Sequence, residues 1–187
     1  MPRITLVGSR GTGKSSVAAR LAARLGCPWA DADDLLEREQ GVTIAALIHD
    51  RGEAFFRDRE AELLTRLLER EAGVVATGGG VVLRPDNRAL LASRGRPVVW
   101  LRAPAAVLRE RLAADPATNS RRPALGGGDV LDEVAALVAA REPLYRSVAD
   151  AVIDTAADSA DRIADRLAAW LVSWRPGPPA EAPEVIP

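Results

Sequence analysis

Five short apolar runs punctuate the chain, at 4–8, 28–31, 73–77 ("GVVAT"), 97–102 ("PVVWLR") and 150–154 ("DAVID"). Most lack the polar–apolar alternation of a half-exposed strand, so they read as strands covered on both faces. Between them the apolar positions recur at helical spacing. "SSVAARLAARL" places Val17, Leu21 and Leu25 on one side, and similar patterns predict helices over 14–25, 34–40, 43–50, 53–71, 86–94, 104–113, 130–146 and 159–173. In the last of these, Ile163, Leu167, Trp170, Leu171 and Trp174 fall on one stripe, which reads as a core-facing helix rather than a partner site. Strands alternating with helices predict an α/β domain built on a parallel sheet.

Two segments break that rhythm. Residues 33–61 place helices between the second and third strands where a short crossover would serve. Residues 115–128, "DPATNSRRPALGGG", are polar and rich in turn formers, the composition of a mobile lid. From Arg175 the chain becomes "RPGPPAEAPEVIP", and five prolines in thirteen residues predict a disordered tail over 175–187. Residues 1–174 are then expected to form a single domain, without internal repeats.

Composition narrows the classes of partner. The chain has 187 residues and a net charge of −1, which suits neither a nucleic-acid partner nor a membrane surface. No apolar run approaches a membrane span, and the four-residue stretch "ITLV" before Gly8 is too short for a signal peptide. A single cysteine, Cys27, excludes an internal disulfide or a multi-cysteine metal site and reads as a small buried hydrophobe in a reducing compartment. The expectation is a cytoplasmic protein, acting as a monomer.

Of the 25 basic residues, Lys14 alone is a lysine; the rest are arginine. It stands in "GSRGTGKSS", where Gly8, Gly13, Lys14 and Ser15 fit the phosphate-binding loop G-x-x-x-x-G-K-[ST]. Glycines let successive N–H groups curl toward phosphate oxygens, and the following helix adds its positive dipole end. A compact ammonium on a flexible stem is not replaceable there by arginine's planar fork. A strand before the loop and a helix after it complete the context. Signalling GTPases would need a second lysine to read guanine. ATP-driven motors would carry acids at the end of an apolar strand, and here the later strands end in "TGGG" and "LRAP".

Three further features carry candidate chemistry. Asp31 and Asp33, in "WADADD" at the end of the second strand, lie two apart and on an extended segment would project to the same side. Beyond the carboxyl end of a parallel strand, one could hold water around Mg²⁺ and the other face an acceptor hydroxyl. The alternative is that Asp33 or Asp34 caps the helix that follows. "TGGG" at 77–80 makes either a tight turn or a place where a ligand approaches the backbone. Arg57, Arg122 and Arg141 could pair with carboxylate or phosphate rather than merely be solvated. Arg57 follows Phe55 and Phe56, whose apolar bulk reduces screening.

In order, "GSRGTGKSS", "DAD" at 31–33, "GEAFFRDRE" at 52–60, "TGGG", "RRPAL" and "REPLYR" make the chain resemble the shikimate kinase family over about residues 3–170. The resemblance implies a three-layer P-loop kinase fold of the nucleoside-monophosphate-kinase type, with a five-stranded parallel sheet, a substrate-binding insertion and a lid. It implies transfer of the ATP γ-phosphate to the 3-hydroxyl of shikimate, with Mg²⁺, on the route to the aromatic amino acids. ATP would lie on Gly11, Thr12, Gly13, Lys14, Ser15 and Ser16. Lys14 would contact the β- and γ-phosphates, and Ser15 would bind the metal, with Asp31 supporting it through water. Asp33 matches the acid that hydrogen-bonds the shikimate hydroxyls and acts as base. Arg57 and Arg141 match the pair holding the substrate carboxylate, Gly79 and Gly80 the glycines beside it, and Arg122 the lid arginine reaching the transferred phosphate. Arg109 or Arg111 would supply the adenine contact, with Arg111 preferred. Ile48 stands where the family often has an aromatic residue, and "DPATNS" extends the lid. The rival readings are another small-molecule kinase of the same fold, such as a gluconate kinase, and a nucleotide-binding regulator that does not catalyse.

Overall fold

A computed structural model describes residues 4–69, 73–114, 130–177 and 182–187, with the backbone alone over 130–133. The expected lid, with its Arg122, lies outside the described residues.

The strands are β1 (Ile4–Val7), β2 (Trp29–Asp31), β3 (Val74–Ala76), β4 (Val98–Arg102), β5 (Ala151–Asp154) and β6 (Glu184–Val185). They form one parallel sheet in the order β2-β3-β1-β4-β5-β6. Helices α1 (Lys14–Leu25), α2 (Ala32–Gln40), α3 (Ile44–Leu68), α4 (Pro85–Arg94), α5 (Ala105–Ala114), α6 (Val130–Arg146) and α7 (Ala160–Ser173) make the crossovers.

The uniformly apolar strands are covered on both faces, as their lack of alternation implies. Because side chains alternate along a strand, β1 sends Ile4 and Leu6 toward α1 and α7, and Val7 toward the opposite layer. In β4, Val99 and Leu101 join the first layer while Val98 and Trp100 join the second. Val17, Leu21, Ile163 and Leu167 close one face; Leu64, Leu68, Leu91 and Tyr145 close the other. A third cluster, with Leu36, Ile44, Leu47 and Phe56, seats the 33–61 insertion against Val75. The helices expected over 43–50 and 53–71 run on as α3 with a break at Gly52, whose φ of 85° and ψ of 160° belong to no helix.

Among the described residues the sheet has six strands rather than five, and the sixth corrects the reading of the tail. Glu184 N–H donates to Asp150 O at 2.9 Å and Ile186 N–H to Val152 O at 2.9 Å, so this part of the supposedly disordered segment is a ladder on β5. Ile186 is 3% exposed, within the α1/α7 layer. Trp170 Nε1 donates to Glu184 Oε2 at 2.9 Å, and the Arg166 guanidinium to the Ile186 carbonyl at 2.8 Å. Proline bias concealed this. The five prolines leave Glu184, Val185 and Ile186 untouched, and their N–H groups are those a short edge strand needs. Ile186→Ala is therefore expected to lower the free energy of unfolding by about 2 kcal/mol in urea titrations. A change below about 0.5 kcal/mol would show that the segment does not stay on the sheet.

Candidate active site

The phosphate loop joins the end of β1 to α1, and its shape is set by backbone conformations that side chains oppose. Gly11 and Gly13 have φ of 83° and 85°. A Cβ on Gly8 would sit 2.3 Å from the Leu101 carbonyl oxygen of β4. No side chain caps α1, so its first N–H groups face the loop for an anion to meet. Lys14 folds back over the curl, and its Nζ donates to the Gly8 and Ser9 carbonyls at 2.8 and 2.9 Å. Thr12 Oγ1 donates to the same Ser9 carbonyl at 2.8 Å. Ser15 and Ser16 lie exposed on the first turn of α1.

Asp31 closes the edge of this loop. It is the N-cap of α2, and Oδ1 accepts the N–H groups of Asp33 at 2.9 Å and Asp34 at 3.2 Å. Its other oxygen, Oδ2, takes the Ser15 hydroxyl. The cap is thus Asp31 rather than Asp33 or Asp34, because the helix begins at Ala32, earlier than the apolar pattern suggested. Asp33 accordingly sits in the first turn of α2, not on an extended segment. A hydroxyl beside a carboxylate is a donor set suited to a hard divalent cation. Among the described residues no cluster of three or more His, Cys, Asp or Glu could cage a metal. Ser15 and Asp31 therefore fit an ion that arrives with phosphate and water for its remaining ligands.

The "TGGG" turn faces the loop, and it is a close-packed junction. A Cβ on Gly78 would lie 2.6 Å from Asp33 Oδ1 and 2.7 Å from Glu60 Oε1. One on Gly79 would lie 3.2 Å from the Arg10 backbone nitrogen, and one on Gly80 2.2 Å from Arg57 Nη1. None of the three has positive φ. What they supply is room, so that an acid, the phosphate loop and an arginine all reach the backbone.

Arg57 is held from both sides. Its Nη1 donates to Glu60 Oε2 at 2.8 Å and its Nη2 to Glu53 Oε1 at 3.1 Å, with the guanidinium 4.7 Å from the centre of the Phe56 ring. Burial disfavours its charge, but Glu60 and Glu53 outweigh that and raise its pKa. Arg141, from α6, donates to the Gly79 carbonyl at 3.2 Å. The two arginines expected to act together thus lie against adjacent glycines, Arg141 bonded to Gly79 and Arg57 packed on Gly80. Arg111 bridges the Gly11 carbonyl at 3.3 Å and the Thr155 carbonyl at 2.5 Å, on the α5 side of the loop, while Arg109 is exposed.

The matches to known proteins follow this geometry. A shikimate kinase family model matches residues 10–172. The chain belongs to the shikimate kinase family. It is 47% identical to a shikimate kinase of Nitratidesulfovibrio vulgaris over 79% of this chain and 83% of that protein. It is 45% identical to one of Rhodopirellula baltica over 78% and 77%. The structure of shikimate kinase from Acinetobacter baumannii in complex with shikimate superposes with a TM-score of 0.86 at 36% identity, covering 92% of this chain and 94% of that one.

Two residues of the site carried no assignment in the sequence. Glu60 stands three after Arg57 on α3, the spacing of a helical ion pair, and is 5% exposed. Its Oε1 is buried without a hydrogen-bond partner among the described residues. Tyr145 stands four after Arg141 and is 1% exposed. Both occur in the quoted motifs, but only the fold shows what they touch. Glu60→Ala should lower stability by about 2–3 kcal/mol, since it leaves Arg57 buried with one partner. Glu53, 55% exposed, should cost under about 1 kcal/mol when changed to Ala. Thermal and urea unfolding of both variants would check that order, and its reversal would place the anchor of Arg57 at the surface.

Proposed function

We propose that this member of the shikimate kinase family transfers the γ-phosphoryl group of ATP to the 3-hydroxyl of shikimate, and that the residues above divide the work as follows. The observation that carries the assignment is the contact at Gly79. The phosphate loop and the glycine turn against which Asp33, Arg57 and Arg141 pack meet there without an intervening side chain. A nucleotide phosphate on one side and a hydroxylated acid on the other would therefore be neighbours.

Lys14, the α1 N-terminus and the loop N–H groups hold the β- and γ-phosphates, and Ser16 lies within that first turn. Lys14 already spans two loop carbonyls, and its three donors let it follow charge from the bridging oxygen to the departing β-phosphate. Ser15 and Asp31 would hold Mg²⁺. When bound, the ion neutralises phosphate charge. Asp33 accepts the acceptor's proton as that oxygen bonds to the γ-phosphorus and the bond to the β-phosphate oxygen breaks. Arg57 and Arg141 fork onto the carboxylate, with the Gly79 and Gly80 backbone alongside. Arg111 flanks the base, and Arg122 is assigned to the transferred phosphate. Rate then comes from positioning and charge stabilisation.

Among the described residues no helix is long and apolar enough to cross a membrane. We place the enzyme in the cytoplasm, where both substrates would be made.

ADP release from Mg·ATP, with shikimate, gluconate and AMP offered in parallel, tests the acceptor. Turnover is expected with shikimate alone. ADP formed with gluconate or AMP instead would discard the carboxylate clamp, and ATP binding without turnover would favour a regulator. Lys14→Ala and Asp33→Asn should each lower kcat by at least about 100-fold in a folded protein; near-normal kcat in either would refute its role. Arg141→Ala should act mainly on shikimate KM, raising it about 30-fold or more, as expected for a lost charge pair worth at least about 2 kcal/mol. An unchanged KM would remove Arg141 from the clamp.

A further inference from the structure

The Gly79 carbonyl accepts two hydrogen bonds, both from α6 and one helical turn apart. Arg141 Nη1 donates at 3.2 Å and the Tyr145 hydroxyl at 2.5 Å. The Ser9 and Arg141 side chains also stand near the phenol, where they favour its ionised form. Ser9 belongs to the phosphate loop, and its carbonyl is the one that receives Lys14 Nζ at 2.9 Å and Thr12 Oγ1 at 2.8 Å. One hydroxyl is thus bonded to the acceptor turn and stands beside the clamp arginine and the phosphate loop. Its ring is fixed from behind, stacked on Trp100 of β4 with centroids 6.0 Å apart and planes 21° from parallel. Burial pushes the phenol's pKa up, with Ser9 and Arg141 pulling the other way, so it remains protonated and able to donate.

We propose that Tyr145 is a positioning residue that locks the Gly79 turn to the phosphate loop and so sets the register between the acceptor hydroxyl and the transferred phosphoryl group. The inference rests on the acceptor site assigned above. There Arg141 turns toward the substrate carboxylate and must share or release the Gly79 carbonyl. Tyr145 has no such second duty and keeps that carbonyl in place through the exchange. The distance it governs is the one to which phosphoryl transfer is most sensitive, since a shift of 1 Å in reacting atoms can cost about 100-fold in rate. A residue with only a packing role would act through its ring, against Trp100. The proposed role belongs to the hydroxyl.

Tyr145→Phe keeps the ring and removes the hydroxyl, and Ser9→Ala removes the hydroxyl that stands near it on the phosphate loop. The full chain, both variants and the double variant would be compared by thermal unfolding, by titration with ADP and with shikimate separately, and by kcat with both substrates. Expected for Tyr145→Phe are a melting temperature within a few degrees of wild type, separate dissociation constants within about threefold, and kcat lowered about tenfold or more. The double variant should be no more than about twofold slower than Tyr145→Phe, because both changes cut one connection. A kcat within twofold of wild type would overturn the proposal. So would losses that multiply in the double variant, or a kcat deficit that disappears once activity is expressed per folded molecule. A wild type that turns over no shikimate would overturn the acceptor reading and this inference with it. An active wild type with an equally active Tyr145→Phe overturns this inference alone.

Discussion

The site depends on the absence of side chains between two loops. At Gly79 the acceptor turn lies on the phosphate loop so closely that a Cβ would be 3.2 Å from the Arg10 nitrogen. At Gly78 and Gly80 it would meet Asp33, Glu60 and Arg57 at 2.2–2.7 Å. Phosphoryl transfer needs a nucleophile and a phosphorus a few ångströms apart with water kept out. Two backbone segments in direct contact provide that, whereas two segments spaced by side chains would hold the partners too far apart. The flanking helices then serve one end. α2 brings Asp33, the kinked α3 brings Arg57 with Glu60, and α6 brings Arg141 with Tyr145, all to the same short turn.

Charge is arranged around that turn by the same logic. Arg57 is largely covered, with 11% of its side chain exposed, and would be costly alone. Glu60 Oε2 and Glu53 Oε1, at 2.8 and 3.1 Å, hold it charged and fix its fork before any ligand arrives. Preorganisation of this kind suits a planar guanidinium, which loses little freedom per hydrogen bond once aimed. The phosphate loop needs the opposite. Its curled backbone presents two carbonyls, from Gly8 and Ser9, to one ammonium at 2.8 and 2.9 Å. The group there must follow a moving phosphate rather than match a flat carboxylate. That difference accounts for one lysine in a chain otherwise committed to arginine.

Most of the frame was legible because its signals are local. Uninterrupted apolar runs mark strands covered on both faces, and β1, β3 and β4 are so covered. The phosphate-loop spacing marks Gly8, Gly13, Lys14 and Ser15 as the turn from β1 into α1, because a curl of backbone imposes fixed positions. What escaped was set by contacts distant in sequence. The tail's prolines masked three residues free to pair, and only burial of Ile186 under α7 shows why they do. Glu60 and Tyr145 look like ordinary helical residues until the fold carries Gly78 and Gly79 to them. The sixth strand and these two side chains are thus products of tertiary packing that no local window contains.

Asp31 shows why a structural and a chemical reading of one residue need not compete. Its Oδ1 caps α2 while its Oδ2 reaches the Ser15 hydroxyl. A carboxylate fixed by two backbone N–H groups cannot swing away from the loop, so the cap is what keeps the second oxygen where a cation would need it. The same cap sets where α2 begins. That start places Asp33 in the first turn, with its Oδ1 against Gly78. An aspartate two residues earlier thereby determines where the proposed base stands. The sequence pair Asp31 and Asp33 is one device: the first acid anchors the helix on which the second is presented.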